Sequence, residues 1–148
     1  MSDLSEKFVS EAANWVRTPY LHRGTTRRGV DCTGLIIAIL SELGYMTDYR
    51  LRQYPSDWNL HGGAGNYIED EIVKIADEIP KHQTEPGDLI LIRFGRCLSH
   101  CAIVMPTDLI LHAFLTAKMV KYDLLRGPKW GNRWVKTYRL SLEKLRSI

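Results

Sequence analysis

The stretch Asp31-Cys32-Thr33-Gly34-Leu35-Ile36-Ile37-Ala38-Ile39-Leu40-Ser41-Glu42-Leu43-Gly44 decides how this chain is read. Its interior is almost unbroken aliphatic sequence, so it reads as a helix covered on most sides rather than as an amphipathic surface helix. Asp31 is a good N-cap and Gly44 a good stop just past the C-terminus. A cysteine in the first turn of such a helix stands beside unpaired backbone N–H groups and the positive end of the helix dipole, both of which favour thiolate over thiol. Cys32 is also placed to attack a carbonyl while nearby N–H groups, its own included, hold the developing oxyanion. The competing reading is a small core hydrophobe, since free cysteine is often buried. The helix alone does not choose between them.

Upstream, Leu4, Phe8, Ala12 and Trp15/Val16 recur at helical spacing behind an Asp3-x-x-Glu6 capping signal, which predicts an amphipathic helix over 3–17, ended by Thr18-Pro19. Residues 20–30 are polar and basic with two glycines, a loop delivering the chain to Asp31. Downstream, residues 45–65 hold Tyr54-Pro55-Ser56-Asp57-Trp58 and Gly62-Gly63-Ala64-Gly65, a long irregular connection expected to wall a cleft. Asn66-x-x-Glu69 then opens a helix whose inner stripe is Ile68, Ile72, Ile75/Ala76 and Ile79, up to Pro80. After the Pro86-Gly87-Asp88 turn the period changes, and 88–94, 98–105, 109–115, 119–124 and 134–140 read as strands. Helices first and antiparallel strands second make an α+β domain.

A nucleophilic cysteine needs a base. If strands 98–105 and 109–115 pair about Met105-Pro106-Thr107, Val104 faces Asp108 and His100 faces His112, with Cβ atoms roughly 5 Å apart on one face. His100 would then take the thiol proton and His112 would orient it through the other ring nitrogen. The rival is zinc, for which Cys32, Cys97, His100, Cys101 and His112 supply ligands. The pleat opposes it, because Cys97 and Cys101 share a face and His100 points to the other. Paired Cys-x-x-Cys spacing is missing, so no metal is expected and Cys97 and Cys101 read as structural. The glycine clusters lack phosphate-loop spacing, and no other cofactor is implied. Asp31 reads as the helix cap and Asp88 as a turn residue.

At 148 residues, with 45% hydrophobic and 25% charged, the chain is sized for one globular domain over 1–148 and excludes disordered and collagen-like classes. No apolar run approaches the ~20 residues of a membrane span, and the start lacks a signal-peptide pattern. Three cysteines suggest reduced thiols and cytoplasmic synthesis. Net charge is +3 but uneven: residues 1–117 carry 11 Lys+Arg against 15 Asp+Glu, while 118–148 carry 9 against 2. The basic end interleaves with Tyr122, Trp130, Trp134 and Tyr138. It could suit a phosphate backbone or an anionic wall polymer, but two-faced strands with aromatics in and charges out account for it better, which disfavours nucleic acid.

Thr18-Pro19-Tyr20, Asp31-Cys32-Thr33-Gly34-Leu35, Pro86-Gly87-Asp88-Leu89, Ser99-His100-Cys101-Ala102-Ile103-Val104 and Leu111-His112-Ala113 together resemble the NlpC-type cell-wall peptidases. The likeness is greatest to the compact branch of phages, prophages and gene transfer agents, where a segment like Tyr54-x-x-Asp57-Trp58 and a tryptophan-rich basic end also occur. The resemblance implies a papain-like cysteine peptidase fold, with N-terminal helices packed on an antiparallel sheet, and a Cys32-His100-His112 triad. It also implies hydrolysis of peptidoglycan stem peptides between γ-D-glutamate and a diamino acid. Tyr20 takes the place of the family's tyrosine before the nucleophile. With Asp31 and Thr33 it forms the substrate-binding or oxyanion set. Two departures are Thr33 where the family usually has serine and Cys101 where it often has valine. The implied setting is a virion or transfer particle, with tail proteins as further partners. An amidase or acyltransferase using the same triad, or a non-catalytic tail protein, is the alternative.

Overall fold

In the computed structural model, which describes residues 1–46 and 67–148, helix α1 spans Asp3–Ala12 and a 3-10 turn follows over Ala13–Trp15. Its cap is Ser2, whose Oγ accepts the Ser5 N–H at 3.0 Å, so Asp3 becomes the first helical residue and pairs with Lys7 one turn on, at 3.2 Å. Leu4, Phe8, Ala12 and Trp15 are buried, the stripe that the spacing predicts.

Helix α2 spans Cys32–Glu42. Asp31 Oδ1 accepts the Gly34 N–H at 2.8 Å, every residue from Thr33 to Leu40 is buried, and Gly44 carries φ +85° at the expected stop. The preceding loop contains a small hairpin, β1 (Thr25–Thr26) with β2 (Gly29–Val30), which the polar sequence did not signal. It lies hard against the first turn of α2: a Cβ on Gly34 would stand 1.9 Å from the Gly24 carbonyl oxygen. Glycine at 34 is what allows loop and helix to touch.

Helix α3 covers only Tyr67–Ile72, shorter than the helix expected up to Pro80. The chain becomes extended, and strand β3 (Ala76–Ile79) pairs antiparallel with the last strand, β8 (Trp134–Leu140). Ile75 and Ala76 are buried as the periodicity requires, but spacing of three and four residues does not distinguish a last helical turn from a strand docked on a sheet edge. Tyr54–Trp58, Gly62–Gly65 and the expected cap Asn66 lie outside the described residues.

The remaining strands are β4 (Leu89–Phe94), β5 (Cys97–Met105), β6 (Leu109–Phe114) and β7 (Met119–Leu124), and α4 (Leu142–Arg146) ends the chain. They form one antiparallel sheet in the order β3-β8-β4-β5-β6-β7, the α+β arrangement expected. The helices cover one face: Leu89, Leu91, Cys101, Ile103, Met105 and Leu111 join the α1 and α2 side chains in the main core. The opposite face is also apolar, with Ile90, Ile92, Ala102, Val104 and Ile110 beneath Leu125, Trp130 and Trp134. A bulge in β8 passes from Leu91↔Lys136 to Ile92↔Trp134, so Trp134 serves the second face while Tyr138 serves the first. Among the described residues no helix is long and apolar enough to cross a membrane.

Candidate active site

The β5–β6 hairpin turns one residue later than the sequence suggested, about Thr107 rather than Pro106. The pairs are Ile103↔Leu111, Val104↔Ile110 and Met105↔Leu109, so Val104 does not face Asp108 and His100 does not directly face His112. Thr107 and Asp108, both inside the shifted turn, take positive φ, 68° and 60°. The slip is two residues. Because side chains alternate with period two, both histidines stay on the same face, now diagonal to each other. The ladder stops at Ile103↔Leu111 although β5 runs back to Cys97 and β6 on to Phe114. Beyond that stop the side chains make the junction: His100 Nε2 and His112 Nδ1 are 2.7 Å apart.

Two further side chains complete the surroundings. His112 Nε2 lies 2.7 Å from Asp123 Oδ2 on β7. Trp130, in the segment that covers this face, sets its ring 5.7 Å from His100 and 4.8 Å from His112. Both histidines are buried, as is Trp130. Sequence reasoning missed Asp123. The signal was available: four residues separate Phe114 from Met119, and pairing across that turn sets Ile110 opposite Asp123, diagonal to His112.

Cys32, at the first position of α2, has His100 and Cys101 as the two side chains that favour its thiolate. The Cys101 thiol donates to Cys32, and with help from His100 it outweighs burial and holds the Cys32 thiol at about 6. Cys101, its proton held by Cys32 and its side chain wholly buried, is pushed well above the usual thiol range. Burial lowers His100, against the pull of Cys32, and lowers His112, against the pull of Asp123. Cys101 and His100 therefore both favour release of the Cys32 proton, and the His100 ring, drawn upward by Cys32, is where that proton can go. Cys101 lies in the main core, in keeping with its apolar setting, and its thiol also bears on Cys32.

Tyr20 is half-buried, anchored by its N–H to the Lys118 carbonyl at 2.9 Å. Burial first, then proximity to Cys32 and Asp31, raises its phenol above the ordinary range. Asp31 is buried and spends both oxygens on backbone, Oδ1 on Gly34 N–H and Oδ2 on Arg23 N–H at 2.9 Å. Thr33 is buried with its hydroxyl 3.4 Å from Asp31 Oδ1. Cys97 lies at the start of β5, half-buried. Among the described residues no group of three or more His, Cys, Asp or Glu side chains is arranged to hold a metal ion.

Five of the nine Lys and Arg residues of the basic C-terminal end are paired with carboxylates of the same chain. Lys121 pairs with Asp123, Arg126 with Asp108, Lys136 with Glu69, Arg139 with Asp88 and Lys144 with Asp77. Lys129 lies over the rings of Phe114 and Trp130. Four of these pairs reach back to the acidic remainder and tie the segment after β7, β8 and α4 to it, so much of the charge that looks like a patch in the sequence is spent inside the fold.

The chain is similar to the Murein DD-endopeptidase MepS/Murein LD-carboxypeptidase of Escherichia coli K12, 22% identical over 138 residues, 93% of this chain and 64% of that protein. It is also similar to a "Probable endopeptidase" of Haemophilus influenzae, 27% identical over 128 residues, 85% of this chain and 68% of that one. Among solved structures, an NlpC/P60 family protein from Bacillus cereus superposes with TM-score 0.68 at 18% identity, over 92% of this chain and 40% of that one. The chain thus spans 64% of the first of these relatives and less than half of the solved protein. The NlpC/P60 family model matches residues 17–139, a span that holds the Cys32 helix, both histidines and the sheet that joins them, and the chain belongs to that family.

Proposed function

We propose that the protein is a thiol peptidase of the bacterial cell wall, with Cys32 as nucleophile, His100 as base and His112 as the residue that orients it. The observation that carries this reading is the junction of His100 Nε2 with His112 Nδ1 at 2.7 Å, beside a Cys32 at the start of α2 whose thiol His100 helps to hold at about 6. Cys32 attacks the amide carbonyl of a stem peptide, and the tetrahedral oxyanion is held by the Cys32 and Thr33 N–H groups, which intrahelical bonding leaves unused. His100 protonates the leaving amine, a thioester forms, and water activated by His100 releases the acid and restores the thiol. Tyr20 stands beside Cys32 to position substrate or oxyanion. Asp31 shapes the start of the helix and Thr33 contributes through its backbone.

Stem peptides suit the names borne by the relatives, one a murein endopeptidase. The finer proposal is cleavage between γ-D-glutamate and a diamino acid, by an enzyme carried on a phage tail or transfer particle. Immunodetection of the chain in purified particles tests the carrier. Digestion of sacculi and synthetic stem peptides with wild type and Cys32→Ala, read by mass spectrometry, tests the chemistry. New amine ends made by wild type alone support the peptidase and name the bond. Ammonia release or acyl transfer points to an amidase or transferase. No turnover of any wall type, with Cys32 inert to iodoacetamide, overturns the reading in favour of a non-catalytic tail protein.

A further inference from the structure

Asp123 has no part in the three-residue scheme, yet it lies 2.7 Å from His112, as close as His112 lies to His100. Its two oxygens are divided: Oδ2 faces His112 Nε2 and Oδ1 faces Lys121 Nζ at 3.4 Å. Burial opposes its ionisation, but His112 and Lys121 outweigh burial and hold the carboxyl below its usual value, so it is a carboxylate at neutral pH. A carboxylate can only accept. His112 must then carry its proton on Nε2, which leaves Nδ1 with a lone pair. The contact between His112 Nδ1 and His100 Nε2 therefore requires the proton on His100 Nε2. With Nε2 committed, Nδ1 is the His100 nitrogen left for Cys32, and it is bare.

We propose that Asp123 is a positioning residue which, through this one-way chain of donors and acceptors, sets the tautomers of both histidines and makes His100 Nδ1 a proton acceptor aimed at Cys32. The proposal rests on the thiol-peptidase reading for its catalytic consequence, though not for the tautomers themselves. When the Cys32 proton passes to His100 Nδ1, thiolate and imidazolium form, and no other proton need move. The new positive charge lies two hydrogen bonds from the Asp123 carboxylate. Were the group facing His112 Nε2 a donor, every bond in the chain would reverse. His100 would then carry its proton on Nδ1, where it cannot accept one from the thiol.

Asp123→Asn tests this, because Lys121 attracts the amide oxygen and turns the NH₂ toward His112. Nitrogen NMR of ¹⁵N-histidine-labelled protein in the Cys32→Ser background reads the tautomers directly, with and without Asp123→Asn. Kinetics of wild type, Asp123→Asn and Asp123→Glu on stem peptides read the consequence. The expected result is Nε2–H on both histidines with Asp123 and Nδ1–H on both with asparagine. Alongside it, kcat falls about 10²- to 10⁴-fold with little change in KM, and glutamate restores part of the rate. Identical tautomers in the two proteins, or a kcat for Asp123→Asn within about twofold of wild type, overturn the proposal. If Asp123→Asn does not fold, Nδ1–H on either histidine in the protein that keeps Asp123 overturns it equally. If wild type cleaves no substrate, the peptidase reading falls while the tautomer measurement still decides what Asp123 does.

Discussion

Cys32 owes its acidity to two neighbours whose effects can be separated. The thiol at about 6 predicts that iodoacetamide alkylation of Cys32 is half-maximal near pH 6, with the protonated thiol below that pH unreactive. Cys101→Val removes the larger contribution, the S–H donated to the Cys32 sulfur, and should move this midpoint upward while His100 remains in place. An unmoved midpoint would assign the acidity to His100 and the helix start. The exchange adds one heavy atom at a fully buried position, so stability should fall by about 1–3 kcal/mol. Cys32→Ala should abolish cleavage and leave the far-ultraviolet dichroism spectrum unchanged, since the helix cap and the apolar run after it do not involve the sulfur.

The start of α2 is built by two substitutable features. Alanine is ordinarily the better helix former by about 1 kcal/mol. At Gly34, however, the added carbon would stand 1.9 Å from a backbone oxygen of the loop. Gly34→Ala should therefore destabilise by about 1–3 kcal/mol, read as a lower urea midpoint, and should raise KM by displacing the loop that carries Tyr20. Asp31→Ala removes the cap and the bond to Arg23 together, for about 1–2 kcal/mol, whereas Asp31→Asn keeps an acceptor and should lose less. Both losses are measurable by thermal melts. The strands were legible because their alternation is strong. Strand β3 was not, because Ile75, Ala76 and Ile79 satisfy a helical stripe equally well, and the pairing with β8 that decides the matter is about sixty residues away in sequence.

Packing on both faces of the sheet makes stability depend on pH through groups that the fold keeps from water. His100 and His112 have folded values below the ordinary 6.5, so below about pH 6.5 the unfolded chain binds more protons and stability falls as pH drops. Cys32 acts in the same direction: its folded value of about 6 lies below the ordinary 9.0, so its contribution grows from pH 6 toward 9 and is lost as pH falls through 6. The melting temperature should therefore rise between pH 5.5 and 8. Cys32→Ala should flatten the upper part of that rise and leave the lower part. A flat wild-type profile would mean that the histidines are not buried as neutral rings.

Local sequence determined the covered helix, its cap and stop, the cysteine in its first turn, the alternating strands and the face on which both histidines lie. These are matters of period, and a two-residue slip in the hairpin register left that face unchanged because the strand period is two. Tertiary structure alone decided what depends on distance between elements. It sets Cys101 on the Cys32 sulfur, Asp123 behind His112, Trp130 over both rings, and acidic partners from other elements against the basic end. Those contacts join side chains far apart in the chain, and no spacing along one strand or helix encodes the angle at which another crosses it.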